Sequence, residues 1–226
     1  MKAASTPSGN KIVVAVSGGG RSLANLLEAE SRGCLFHVAG VIASRPDCPA
    51  VGIAREYGCP LYTEQFSGSS VASEPLWEWL LKIQPKLIVL AGFLRPFPTG
   101  FPGTELCPEI INIHPSLLPD FGGKGMYGLK VHQAVLDGGR HETGASVHRV
   151  TEVYDEGQII SQIRVPVRPS DTAVTLSARV FEAECHLLPL TVAGLLNKSL
   201  PLPEAMAWQI NNPDIKTGVF HIEHGC

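Results

Sequence analysis

The sequence predicts an α/β fold: a single Rossmann-like domain on a mostly parallel, twisted sheet with helices on both faces, and a C-terminal antiparallel addition. Three observations carry that expectation. Short β-branched runs alternate with segments of helical spacing through the first half of the chain, the pattern of successive βαβ units. The strand runs are apolar on both faces, as strands buried in a parallel sheet are. The second half changes style, with two adjacent extended runs followed by one long helical stretch.

Each element follows from its residues. The stretch 1–10 is small and polar and reads as a disordered tail ahead of one domain at 11–226. Lys11 to Val16 is β-branched with polar flanks, hence the first strand. The glycine-rich turn Ser17 to Ser22 leads into Leu23 to Ala29, whose leucines recur at helical spacing. Leu35 to Ala43 fits a second strand that ends at Ser44-Arg45-Pro46. Val51 to Tyr57 is helical and stops at Gly58, and Pro60-Leu61-Tyr62 opens a short extended piece. Glu74 to Ile83 is a helix with Trp77, Leu80 and Leu81 at core spacing. Lys86 to Ala91 and Glu109 to His114 are the next strands. Ala145 to Val150 and Gln158 to Val167 read as an antiparallel pair. Asp171 stands where an N-cap is expected for a long helix over 172–196.

The bulk composition narrows the functional classes. The chain has 226 residues, is 44% hydrophobic and carries a formal net charge of -3, which suits a sizeable core. Its pI of about 6.2 and the lack of a basic stripe argue against a nucleic-acid partner. The longest apolar run, Leu87 to Leu94, is interrupted by Gly92 and too short for a bilayer. The N-terminus lacks the apolar core of a signal peptide. Six cysteines stand apart, with no C-x-x-C pair and no zinc spacing, so no metal is expected and the thiols point to a reducing compartment. The expectation is a cytoplasmic protein acting on small molecules, with no nucleic acid and no membrane, as a monomer or homodimer.

Two stretches carry chemistry. The first is Ser17-Gly18-Gly19-Gly20-Arg21-Ser22. It fails the G-x-G-x-x-G dinucleotide pattern, whose third glycine would fall at Leu23, and no Gly-Lys-Ser/Thr follows. Two readings fit it: a plain tight turn, or a turn whose free N–H groups at a helix start hold an anion. The second is Ile111-Asn112-Ile113-His114-Pro115-Ser116-Leu117-Leu118-Pro119. Along a strand Asn112 and His114 share one face, and Pro115 ends the pairing. A polar pair at the carboxyl end of a parallel strand lies where such sheets bind ligands. The amide suits a developing oxyanion, and the imidazole titrates near neutrality. A glycine-rich loop, Gly122 to Gly128, follows; it reads as a lid, a binding loop or plain surface.

These residues carry a resemblance. The nonapeptide around His114, preceded by Leu90-Ala91-Gly92-Phe93-Leu94-Arg95 and followed by Gly144-Ala145-Ser146-Val147-His148 and Val153-Tyr154-Asp155-Glu156-Gly157, resembles the folate-dependent formyltransferase family from about Lys11 to Leu196. The resemblance implies that 10-formyltetrahydrofolate is the co-substrate and that the acceptor is the amine of glycinamide ribonucleotide. It implies Asn112, His114 and Asp155 as the catalytic groups. It implies that Gly18, Gly19, Gly20, Arg21 and Ser22 hold the substrate phosphate, with Glu184 at the ribose or phosphate region. It further implies a folate pocket at Leu94, Arg95, Pro96 and Phe97 and at Val153 in the turn before the aspartate. Arg21 and the Phe121–Gly128 loop depart from the commoner family pattern; Lys124 and the loop's glycine N–H groups are placed to meet an anion. Relatives that formylate charged tRNA, or that hydrolyse the folate, usually carry an additional domain at one end. The mildly acidic pI and the chain's extent favour the ribonucleotide acceptor.

Overall fold

The computed structural model describes residues 9–103 and 105–197. The tail expected over 1–8 and the end of the chain lie outside the described residues. The chain divides into two compact units, Met1–Ile111 and Asn112–Cys226.

The first unit holds β1 (Lys11–Val16), α1 (Arg21–Ser31), β2 (His37–Ala43), α2 (Ala50–Glu56), β3 (Leu61–Thr63), α3 (Glu74–Ile83) and β4 (Leu87–Leu90). Its strands run in the order β3-β2-β1-β4, and every pairing is parallel. The chain thus winds outward from β1 to β3 and returns to the other side of β1. That reversal creates a switch point at the carboxyl ends of β1 and β4, where open α/β sheets place ligands. Burial accounts for the strand sequences: Ile12, Val13, Val14, Ala15 and Val16 are all fully buried, and removing each large aliphatic side chain from water stabilises the fold by roughly 1.5–3 kcal/mol.

In α3 the Ser73 side chain accepts from the Leu76 N–H and Pro75 occupies the first turn, a start signal legible in the sequence. Trp77 and Leu80 are core, as expected, but Leu81 is only half-buried. Leu76 takes the third core position, because it lies one turn before Leu80 on the same stripe.

In the second unit, β5 (Glu109–His114) contributes its last three residues, followed by α4 (Leu129–Asp137), β6 (Glu142–Arg149), β7 (Ile159–Pro166) and α5 (Ala173–Asn197). β6 and β7 pair antiparallel, the addition that the sequence predicts. α5 packs on both strands and on α4. α4 itself was not expected from the sequence: it follows the glycine-rich loop directly, and its N-cap is Gly128 with no side-chain cap. The capping expectation at Asp171 is corrected. Thr172 Oγ1 accepts from the Thr175 N–H at 3.2 Å, while Asp171 turns to Arg179, at 2.6 and 2.9 Å from its two guanidinium nitrogens. A guanidinium two turns up the helix outcompetes a backbone N–H for a carboxylate that it can grip in two places. No helix among the described residues is long and apolar enough to cross a membrane.

Candidate active site

The glycine-rich turn sits at the switch point of the first unit. β1 ends at Val16, and the Ser17 N–H donates to the Gly92 carbonyl at 3.1 Å. The Ser17 hydroxyl accepts from the Leu94 N–H and from the Ser44 hydroxyl, at 2.9 and 2.8 Å. One serine therefore ties the turn to the ends of β2 and β4. Gly20, with φ 74°, caps α1. A Cβ there would lie 2.7 Å from the Ala50 methyl, so glycine is required both for the turn and for the approach of α2. Gly18 is half-buried, Gly19 exposed, Arg21 exposed and Ser22 half-buried. The first N–H groups of an eleven-residue helix open beside them, a setting that favours anions.

The strand end after β4 is mixed. Leu94 is 51% exposed, and Arg95 and Pro96 are exposed too. Phe97 is buried, its ring 5.5 Å from Phe93 and 5.7 Å from Phe66. The side chain of Phe97 belongs to an aromatic core cluster, so only Leu94, Arg95 and Pro96 present side chains at the surface here. In the second unit Val153 is 53% exposed in the β6–β7 turn, and Glu184 is half-buried on α5.

The nonapeptide builds the second cluster. β5 ends at His114, and the chain beyond it is held by the hairpin. The Ser146 hydroxyl of β6 donates to the Ser116 carbonyl at 2.7 Å and accepts the Leu118 N–H at 3.0 Å. Gln162 of β7 donates to the Leu118 carbonyl and to Ser146, at 3.0 and 2.8 Å. These bonds pair buried polar groups of the 115–119 segment and tie it to β6 and β7.

On this support three sequence-predicted residues come together. His114 is 4% exposed. Its Nε2 lies 2.9 Å from the Phe121 carbonyl and its Nδ1 lies 3.6 Å from Asp155 Oδ2. Asp155 Oδ2 also accepts the Gly123 N–H at 2.8 Å. Its other oxygen is 3.4 Å from Nε2 of His148, and that same nitrogen is 3.0 Å from the Asn112 amide nitrogen. Asn112, His114 and Asp155 are thus linked through a fourth residue, His148. Asp155 itself adopts φ 58°, a left-handed conformation that Asp tolerates better than most side chains.

The electrostatics follow from burial and neighbours. Burial pushes the His114 imidazole below its ordinary pKa of 6.5, against the opposing pull of Asp155 and of the Phe121 carbonyl. Burial pushes the Asp155 carboxyl up, but His148, His114 and the Gly123 N–H outweigh it and lower it below 3.8. The site therefore combines a neutral imidazole with an ionised carboxylate near neutrality. Such a pair can orient an N–H at a developing oxyanion and pass a proton. No group of His, Cys, Asp and Glu among the described residues is arranged to hold a metal ion.

Sequence reasoning left His148 open as the one histidine besides His114 outside a surface or core role, and it gave no task to Ser146 or Gln162. The available signal was the Ser146-x-His148 spacing, which puts two polar residues on one face of a strand.

Residues 10–192 match the family model described as formyl transferase: the chain belongs to the formyl transferase family. Among curated relatives, it is 37% identical to a chloroplastic phosphoribosylglycinamide formyltransferase of Vigna unguiculata, over 84% of this chain and 62% of the relative. It is 31% identical to the phosphoribosylglycinamide formyltransferase of Escherichia coli K12, over 87% of this chain and 92% of the relative. The chain thus spans less than two thirds of the plant relative's length. Among solved structures, glycinamide ribonucleotide transformylase 1 from Symbiobacterium toebii matches with a TM-score of 0.71 and 30% identity, covering 88% of this chain and 96% of that one. The fold class read from the sequence is that of these structures.

Proposed function

We propose that the protein is a phosphoribosylglycinamide formyltransferase, moving the formyl group of 10-formyltetrahydrofolate to the amine of glycinamide ribonucleotide in purine synthesis. The single observation that carries the chemistry is the buried approach of His114 to Asp155, with Asn112 joined to both through His148. Relatives of that name, similar along most of this chain, support the choice of acceptor.

The reaction assigns each group a task. The acceptor amine attacks the formyl carbon; a C–N bond forms and the carbonyl electron pair moves onto oxygen. Asn112 donates to that oxyanion, a contribution of about a hundredfold to a thousandfold for one such donor in comparable sites, and the His114 N–H joins it on leaving the Phe121 carbonyl. Asp155 holds the imidazole and takes up, through water, the proton lost by the amine. The carbon–nitrogen bond to the folate then breaks, and the folate nitrogen receives a proton. Gly18, Gly19, Gly20, Arg21 and Ser22 hold the substrate phosphate, and Glu184 faces its ribose. Leu94, Arg95, Pro96 and Val153 meet the folate. Phe97 contributes through its main chain, since its ring is committed to the core. The family model runs through both units, which supports reading 11–226 as one domain. The five described cysteines are free thiols, in keeping with a cytoplasmic protein.

The test is a spectroscopic assay with purified protein, a 10-formyl folate and glycinamide ribonucleotide as sole acceptor. Folate product that depends on the ribonucleotide is the expected result. Product without any acceptor would replace the transferase with a hydrolase.

A further inference from the structure

The formyl-transfer reading leaves one buried histidine of the cluster without a task. His148 is 2% exposed. Its Nδ1 lies 2.9 Å from the Arg149 carbonyl oxygen. A carbonyl only accepts, so Nδ1 carries the proton and the neutral ring offers Nε2 as an acceptor. The Asn112 amide nitrogen, 3.0 Å away, donates to it. The polarity of the chain is therefore fixed from the Arg149 carbonyl through His148 to Asn112. One amide hydrogen is used, a second is left over, and the amide oxygen is turned away from the ring.

We infer that His148 is a positioning residue that fixes the orientation of the Asn112 amide, holding its second hydrogen for the oxyanion of the transfer reaction. The inference rests on the function proposed above. An amide free to rotate would spend part of its time with its oxygen toward the oxyanion, where it repels rather than stabilises. Orientation therefore decides whether Asn112 helps or hinders.

The experiment compares His148→Ala and His148→Gln with wild type in the ribonucleotide-dependent assay, and reads the side chains by nitrogen-15 NMR. The alanine variant is expected to lose roughly tenfold to a hundredfold in kcat, less than Asn112→Ala at about a hundredfold to a thousandfold. KM for both substrates stays near wild type, because the interaction is made in the transition state. Glutamine, whose amide oxygen accepts the same hydrogen, restores most of kcat. In wild type the NMR signature is a single His148 tautomer protonated at Nδ1, with an Asn112 amide resonance that moves on substitution. Wild-type kcat in the alanine variant overturns the inference. So does a glutamine variant no better than alanine, or an Nε2-protonated tautomer. A wild type that transfers no formyl group sinks the functional reading instead, and the tautomer and amide resonances then judge the hydrogen-bond chain by themselves. If the alanine variant does not fold, the glutamine variant and the wild-type spectra still decide.

Discussion

Asp155 and Asp171 are both largely buried carboxylates of the second unit, and their surroundings solve the same problem in opposite ways. Asp171 is gripped by the Arg179 guanidinium at 2.6 and 2.9 Å and also accepts the Arg168 N–H and the Thr175 hydroxyl. Its partner carries a permanent charge. Asp155 has one short bond, from Gly123, and two longer approaches from imidazoles at 3.4 and 3.6 Å. Its imidazole partners carry no permanent charge. A carboxylate that holds structure is saturated by a fixed cation. A carboxylate that handles protons is left with partners able to give one up.

Substituting asparagine at each position tests this contrast most strongly. Asp155→Asn is expected to lower kcat by roughly a hundredfold to a thousandfold while the thermal midpoint barely moves. Asp171→Asn is expected to cost roughly 1–2 kcal/mol of stability, because it removes the charge that faces a buried guanidinium, while the folded fraction keeps its turnover. Assays at saturating substrate beside denaturant melts separate the two; equal effects at both sites would erase the distinction.

A smaller effect is expected at Gly122. A Cβ there would lie 2.6 Å from Leu118 Cδ2 and 3.1 Å from Asp155 Cβ, so Gly122→Ala pushes the carboxylate off its place. The predicted loss is about tenfold in kcat, since small displacements of catalytic groups carry large rate penalties. An alanine variant with full activity would mean that the loop does not hold Asp155.

The protonation state of His114 sharpens the comparison further. Asp155 raises its affinity for a proton, so Asp155→Asn should lower the His114 pKa further below the ordinary histidine value. An NMR titration of the ring measures this; a rise would mean that the carboxylate does not act on His114 as the geometry indicates. The smallest expected effect is on acid stability. Arg179 holds Asp171 down to about 2 from 3.8. The carboxyl therefore contributes fully above its unfolded pKa, and the contribution, roughly 1–2 kcal/mol after screening, fades as pH falls toward 2. Asp171→Asn should flatten that part of the stability profile.

Much of the fold was legible because local signals agreed with one another. Parallel strands such as Lys11–Val16 announce themselves by being β-branched on both faces, and Ser73-Glu74-Pro75 marks a helix start by its own chemistry. The candidate site was legible only where a residue broke its local pattern. Asn112 and His114 stood out as polar residues ending an apolar strand. Asp155 did not stand out, because an aspartate before Glu-Gly is an ordinary turn in sequence; the resemblance pointed to it, and its partners come from distant segments. The tasks of Ser146, Gln162 and His148 were hidden for the same reason, since their partners Ser116, Leu118 and Asn112 lie many residues away. α4 escaped because no polar cap precedes it. Arg179 was missed as the partner of Asp171 because local capping rules do not extend two turns up a helix. Phe97 lies beside exposed residues in sequence, yet its ring turns inward to Phe66 and Phe93.

The left-handed backbone at Asp155 narrows what mutation can do there. At φ 58° a branched or bulky side chain meets a steric barrier before any chemistry is considered, and only glycine, asparagine and aspartate enter that region with ease. A library randomised at codon 155 and selected only for folded protein should therefore return those three residues in excess. Of these, aspartate alone brings a carboxylate, so the backbone leaves this position almost no evolutionary path between an active protein and a folded, inactive one.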